Sequence, residues 1–454
     1  MRDLLHETAD LAADFLESLP ERPVLPPVDL EALRGRMGGP VPEGPTDPHE
    51  VVAELASVGS DAAVASPSGR YFGFVIGGAV PAALAADWLT STWDQNAGLY
   101  VIGPAAAVAE EVVGTWLADL LRLPRATSFA FVTGTQMAHA TVLAAARNHV
   151  LAEAGWDVEQ DGLVGAPRIR VLAGEKVHST LPRALRLIGL GTGSIVSIEV
   201  DAQGRIRPDA LREALAAGDG PTIVCAQAGE VNTGSFDPFG PIADASEEAG
   251  AWLHVDGAFG LWAAATPRFA HLTAGAERAD SWAVDGHKWL NVPYDSGIAL
   301  CARPEQHKRA MSARAEYLIH SDEGGPRDEV DWTPEFSRRA RGFTVYAAIR
   351  SLGRSGIAKM IERGCDHAAR FASDIATVPG AEVLNEVVLN QVLFRFESDE
   401  RTTQILGRVQ QSGEAWMSGT AWDERQAIRL SVSNWQTSDE DIDRTLAAFR
   451  TAAA

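Results

Sequence analysis

Residues 251–290 read AWLHVDGAFGLWAAATPRFAHLTAGAERADSWAVDGHKWL, and this stretch decides the fold. Two short apolar runs, AWLHVD and ADSWAVD, have the length and composition of buried strands, with a loop between them. The first ends in Asp256 and the second runs into His287-Lys288. An ionisable group at the end of each buried strand marks a candidate site, because a charge in apolar surroundings is costly unless it is paired or used.

The same unit repeats outward from there. SFAFVT, RIRVLAG, SIVSIEV, TIVCAQA and SGIALCA are further strand candidates, with QMAHATVLAAARNHVLAEA, LPRALRLIG and PDALREALAAG between them as helices. Near-continuous apolar strands alternating with helices predict an α/β domain whose mostly parallel sheet is covered on both faces. Ligands of such sheets sit beyond the carboxyl ends of the strands. Asp256, the residues after Thr133 and the run before Lys288 all project towards that edge.

Lys288 stands out by composition as well. The chain has four lysines (Lys176, Lys288, Lys308, Lys359) against 35 arginines. An arginine keeps its proton near neutral pH, whereas a desolvated lysine can lose it and attack a carbonyl. Lys308, in EQHKRA, and Lys359, on a polar helix face, read as solvated charges. A strand-end lysine reaching the surface is the competing reading of Lys288.

With 454 residues, 46% hydrophobic and 22% charged, the chain is that of a globular protein with a large core and one or two smaller units. A net charge of −22 disfavours nucleic acid and anionic membranes as partners. The three cysteines are scattered and lack metal-site spacing, which fits a reducing compartment. The acidic, amphipathic N-terminus is no signal peptide, and no run is apolar enough to span a membrane, so a cytoplasmic location is expected.

Residues 1–64 read as one helix followed by an extended Pro/Gly-rich arm, and 65–305 as the large α/β domain. Residues 306–340 form a polar loop region, and 341–454 a small α+β domain with strands NQVLFRFE and AIRLSVSN. In the latter strand Arg429 could hold a substrate carboxylate, although an arginine at a sheet edge is more often solvated.

Two more segments carry chemistry. In FVTGTQMAHA a strand runs straight into a helix; Gly134 permits close backbone approach, and the helix N-terminus with Thr133 and Thr135 makes a phosphate cradle, ordinary capping being the alternative. In GEKVHST, His178 follows a strand and is either a satisfied structural histidine or a flat lid over a planar ligand. A lysine, an acid, a phosphate cradle and a flat ring together suit pyridoxal 5′-phosphate.

The motifs HVDGAFG, DGHKWL, KVHST and VTGTQ make the chain resemble the group II pyridoxal-phosphate-dependent amino-acid decarboxylases, which include the aromatic-L-amino-acid and glutamate decarboxylases. The resemblance covers roughly residues 65 to 440. It implies fold type I, the aspartate-aminotransferase-like α/β fold, and a homodimer with active sites at the subunit interface. It implies Lys288 as the Schiff-base lysine, Asp256 as the partner of the ring nitrogen, and His178 stacked on the ring with Ala258 on its other face. Gly134, Thr135 and His287 would lie at the phosphate, and Tyr317, in RAEYLIHSDEGG, would be the catalytic tyrosine of a mobile loop. Tyr71, Phe72 and Tyr100 fall in segments that line the family's substrate pocket, partly from the neighbouring subunit.

Two departures from the family pattern affect the site. Gln227 stands where a threonine is usual, and Asp256-Gly257-Ala258 replaces Asp-Ala-Ala, which should loosen the strand end. The expected reaction is decarboxylation of an L-amino acid with an aromatic or bulky apolar side chain. The alternatives are another reaction of the same cofactor (aldehyde-forming oxidative deamination, transamination or carbon–carbon lysis) and a catalytically silent assembly protein.

Overall fold

The computed structural model describes residues 1–312 and 325–454. Seven strands form the main sheet: β1 (Ser128–Val132), β2 (Arg170–Gly174), β3 (Ile195–Ile198), β4 (Thr222–Gln227), β5 (Trp252–Asp256), β6 (Ser281–Asp285) and β7 (Gly297–Cys301). Their order is β1-β7-β6-β5-β4-β2-β3. Only β7 is antiparallel to its neighbours; the other pairings are parallel. Strands β1 and β4 to β7 are buried along their whole length. Burial on both faces is why they appear in the sequence as unbroken apolar runs.

Helices α1 (Arg2–Ser18), α2 (Leu30–Met37) and α3 (Pro48–Ala62) precede the sheet, followed by α4 (Pro81–Trp93) and α5 (Pro104–Leu120). The sheet is then interleaved with α6 (Thr135–Glu153), the single turn α7 (Val158–Asp161), α8 (Thr180–Leu187), α9 (Pro208–Ala216) and α10 (Phe239–Glu248). The expected extended arm is thus two helices joined by irregular chain. Asp29 caps α2 by accepting from the Glu31 and Ala32 amides. Asp47 caps α3, with Pro48 in its first turn. Proline there starts a helix rather than forbidding one, and this is the signal that was misread.

After α11 (Pro304–Met311), the 34-residue α12 (Gly342–Ile375) links the large unit to the small one and is interrupted at Gly353 (φ 61°). Its first half packs through Val345, Ala348 and Ile349 into the main core. Its end, with Ala368, Phe371 and Ile375, belongs to a second core. That core backs an antiparallel sheet of β8 (Glu382–Val383), β9 (Gln391–Arg395), β10 (Ser418–Trp422) and β11 (Arg425–Ser431), ordered β10-β11-β9-β8. Helices α13 (Asp399–Ser412) and α14 (Asp439–Ala453) complete it. Among the described residues no helix is long and apolar enough to cross a membrane.

Candidate active site

The carboxyl ends of β1, β4, β5 and β6 converge on a cavity of about 310 Å³. Its wall includes Gly134, Thr135, His178, Gln227, Asp256, Ala258, His287, Lys288 and Arg429. Nine of the residues expected from sequence therefore meet in one place, although more than 290 positions separate the first from the last.

Lys288 is the only lysine on this wall. Its Nζ lies 2.9 Å from Asp285 Oδ2, at the end of β6. The other lysines are engaged or exposed elsewhere: Lys176 pairs with Asp423 at 3.1 Å, Lys308 with Asp331 at 3.0 Å, and Lys359 lies exposed on α12. Asp285 also accepts the Thr135 amide at 2.6 Å. Burial pushes its pKa up, but Lys288, His287 and these hydrogen bonds outweigh burial and bring it below its ordinary value.

Asp256 is held from two sides. Its Oδ1 accepts the Ala258 amide at 3.1 Å, and its Oδ2 faces His139 Nε2 at 3.3 Å. Burial alone would raise its pKa. His139, His178 and Lys288 overcome that and keep the carboxyl well below the usual range. His178 is set by its backbone amide, which donates to Gln227 Oε1 at 3.3 Å, and by Thr180 Oγ1, 2.8 Å from its Nδ1. Burial lowers the pKa of His178, which leaves it a neutral, flat wall. Gln227 thus spends its carbonyl on holding His178, and its amide nitrogen is the end left for a ligand.

The α6 N-terminus opens onto the same cavity with no side-chain cap. Thr135 Oγ1 is buried there without a hydrogen-bond partner among the described residues. A Cβ on Gly134 would come within 3.2 Å of His287 Cε1 and 3.4 Å of Asp285 Oδ1. His287 accepts the Ser296 amide at 3.1 Å and stacks on Tyr294, ring centres 4.3 Å apart.

The profile described as "Pyridoxal-dependent decarboxylase conserved domain" matches residues 62–397. The chain belongs to this family. It is an enzyme, a pyridoxal-phosphate-dependent amino-acid decarboxylase with the fold type I architecture. It is 27% identical to an aromatic-L-amino-acid decarboxylase of Bacillus atrophaeus, over 97% of this chain and 93% of that one. It is 28% identical to a 4-hydroxyphenylacetaldehyde synthase of Rhodiola rosea, over 96% and 91%. A crystal structure of Oryza sativa TDC with PLP and tryptamine superposes with a TM-score of 0.93 at 26% identity, covering 100% of this chain and 97% of that one. The site fits the family's cofactor: one lysine paired with Asp285, a second buried anion in Asp256, a neutral ring, and an orphaned hydroxyl at an uncapped helix N-terminus.

Several residues differ from expectation. Phe72 is only 1% exposed and packs in the small core, because β11 draws the 71–73 segment against itself through the Ser431 amide and the Phe72 carbonyl. Tyr71 is buried flat on Trp416, ring centres 5.0 Å apart, and burial raises its pKa to about 12. Tyr100 ties its amide to Asp328. None of the three is on the cavity wall; Phe74 and Val75, just beyond Phe72, are. Both sit at positive φ (54° and 59°), a strained backbone for non-glycine residues that clusters at functional sites. Arg429 is not a solvated edge charge: β11 is an inner strand and Arg429 is 9% exposed. Gly257 does not loosen β5 either, since a Cβ there would lie 2.6 Å from Leu261 Cβ. Tyr317 lies outside the described residues.

The reading of the sequence missed Asp285, His139 and His254. For Asp285 the signal was there, three residues before the lysine. For His254 it was the spacing Trp252-x-His254-x-Asp256, which puts three side chains on one face of a strand; His139, on α6, carried no such signal.

Proposed function

We propose that the enzyme decarboxylates an aromatic L-amino acid to its amine and carbon dioxide, acting as a cytoplasmic homodimer. The observation that carries the substrate class is Phe74. This ring is 55% exposed, lines the cavity, and is backed by Trp416 at 5.3 Å. It offers an aromatic shelf where a substrate ring can stack. The relatives named for aromatic amino acids support the same reading.

When bound, the cofactor supplies the electron sink for the pair released as the Cα–carboxylate bond breaks. The protein does the rest. Lys288 anchors the cofactor, and the Asp285 carboxylate holds the lysine side chain in place through a charge-assisted hydrogen bond. Asp256 presents an anion to the ring nitrogen, while His178 and Ala258 confine the ring. The Arg429 guanidinium has one long bond, 3.4 Å to the Val231 carbonyl, and an unpartnered Nε, so it is free to orient the substrate carboxylate. Tyr317 delivers a proton to Cα.

The dimer reading rests on an apolar groove of about 720 Å³ between α4, α5 and α12, lined by Leu89, Trp93, Val108, Val112, Trp116 and Tyr346. Trp93 is 49% exposed there, and an exposed apolar surface of this kind marks an association site. A second copy of the chain is its occupant.

A screen of the standard amino acids for carbon dioxide release, with product mass measured, tests the proposal. Release from tryptophan, tyrosine or phenylalanine with the matching amine is expected. Aldehyde and ammonia as the main products would favour the oxidative reading that the aldehyde-synthase relative suggests. Release confined to acidic amino acids would overturn the aromatic assignment.

A further inference from the structure

Behind Asp256 runs a line of buried polar groups drawn from one face of β5, the start of β6 and helix α6. Trp252, His254 and Asp256 alternate on that face. Trp252 Nε1 donates to Ser281 Oγ at 2.9 Å. The same hydroxyl lies 2.9 Å from His254 Nδ1. His254 Nε2 is 2.8 Å from His139 Nδ1, and His139 Nε2 is 3.3 Å from Asp256 Oδ2. Trp252 is 1% exposed, and His254, His139 and Ser281 are fully buried, so water cannot repair a wrong proton placement.

The two ends of the line fix its direction. An indole N–H can only donate and a carboxylate can only accept. His139 must therefore donate through Nε2 and, with one proton, accept at Nδ1. His254 then donates through Nε2 and accepts at Nδ1, which calls for the Ser281 hydrogen. Ser281 is free to give it because its oxygen already accepts from Trp252. From Trp252 to His139 Nδ1 every donor then points towards Asp256, and the line ends in a 3.3 Å polar contact of His139 Nε2 with Asp256 Oδ2 that falls short of hydrogen-bond geometry. Burial drives the His254 pKa well below its ordinary value, in keeping with a ring that holds one proton.

We infer that Ser281, His254 and His139 are positioning residues: a directional polar relay that aims Asp256 at the cofactor's ring nitrogen and favours its anionic form. Hydrogen bonds in such a chain polarise one another at low local dielectric. Outer partners of this kind typically change activity or affinity by roughly tenfold to a hundredfold when removed. The inference rests on Asp256 being the ring-nitrogen partner.

The test uses the holoenzyme loaded with pyridoxal phosphate labelled with nitrogen-15 in the ring, whose chemical shift reports protonation independently of turnover. His254→Leu and Ser281→Ala break the line. His254→Gln can still donate to His139 and accept from Ser281. We expect the first two to move the shift towards the unprotonated form and to lower kcat roughly tenfold to a hundredfold, with KM little changed, and His254→Gln to recover most of both. Asp256→Asn is the reference. A shift unchanged in Asp256→Asn overturns the role of Asp256 and the relay with it. A shift moved in Asp256→Asn but unchanged in Ser281→Ala and His254→Leu overturns the relay alone. Equal losses in His254→Gln and His254→Leu, tracking a common fall in Tm, also overturn it, since packing would then explain them.

Discussion

Lys288 Nζ and Asp285 Oδ2 are 2.9 Å apart, joined by one turn of chain at the end of β6. The pair puts a fixed anion next to the lysine proposed to anchor the cofactor, and both belong to the same strand end.

Lys288→Ala should therefore abolish the visible absorbance of bound cofactor while leaving the fold intact, as judged by circular dichroism. Borohydride reduction of the parent should fix the cofactor on the peptide containing Lys288. Label on Lys176, Lys308 or Lys359 would refute the site, because those side chains are engaged or exposed elsewhere.

Asp256 gives a prediction about pH. A free aspartate takes up its proton near about pH 3.9, and the partners of Asp256 hold its carboxyl below that. Its contribution to stability is then complete above the unfolded value and is lost only as pH falls through the lower folded one. On acid titration the cofactor's absorbance should keep its form until the protein unfolds. A change at an ordinary carboxylate midpoint in still-folded protein would show that Asp256 is not shielded.

Glu110 and Arg338 meet in the core beside β1, with Nη2 to Oε1 at 2.9 Å and Nη1 to Oε2 at 3.0 Å. Arg338 also donates to the Phe131 and Ala97 carbonyls. Burial, partly offset by Arg338, raises the Glu110 pKa to about 7. Glu110→Ala would strand a buried guanidinium and should cost about 3 kcal/mol or more, read as a lowered denaturation midpoint. A loss under about 1 kcal/mol would show the arginine to be satisfied by carbonyls alone.

Tyr317→Phe distinguishes the reactions. The variant should bind cofactor and substrate and still release carbon dioxide, yet yield little amine, with aldehyde and peroxide rising in its place. Assays of all four products settle it, and undiminished amine would remove Tyr317 from the mechanism.

How much of this was written in the sequence follows from the kind of burial each part has. Strands β1 and β4 to β7 were legible because both their faces are covered, as in TIVCAQ and GIALC. Asp256 and Lys288 were legible because a charge ends an apolar run. Helices α2 and α3 were not, because Pro48 and the glycines around it read equally well as loop. Phe74 was overlooked in favour of Phe72 because a period of two cannot tell which ring faces the cavity and which the small core; only the pairing of that segment with β11 decides it. Arg429 looked solvated because strand order, which makes β11 an inner strand, is not a local property of the chain.

Helix α6 carries Thr135 at its open end and His139 one turn later, behind Asp256. Four residues of α-helix rise about 6 Å, and a helix does not stretch. If Thr135 takes the phosphate and Asp256 the ring nitrogen, as proposed, the grip on one end of the cofactor and the brace behind the other would be two jaws of one caliper, set apart by a covalent rod rather than by the loops around it. A ligand of the wrong length can close on one jaw but not on both. Dephosphorylated pyridoxal would leave the first jaw empty, and the enzyme would release it far more readily than the phosphate ester.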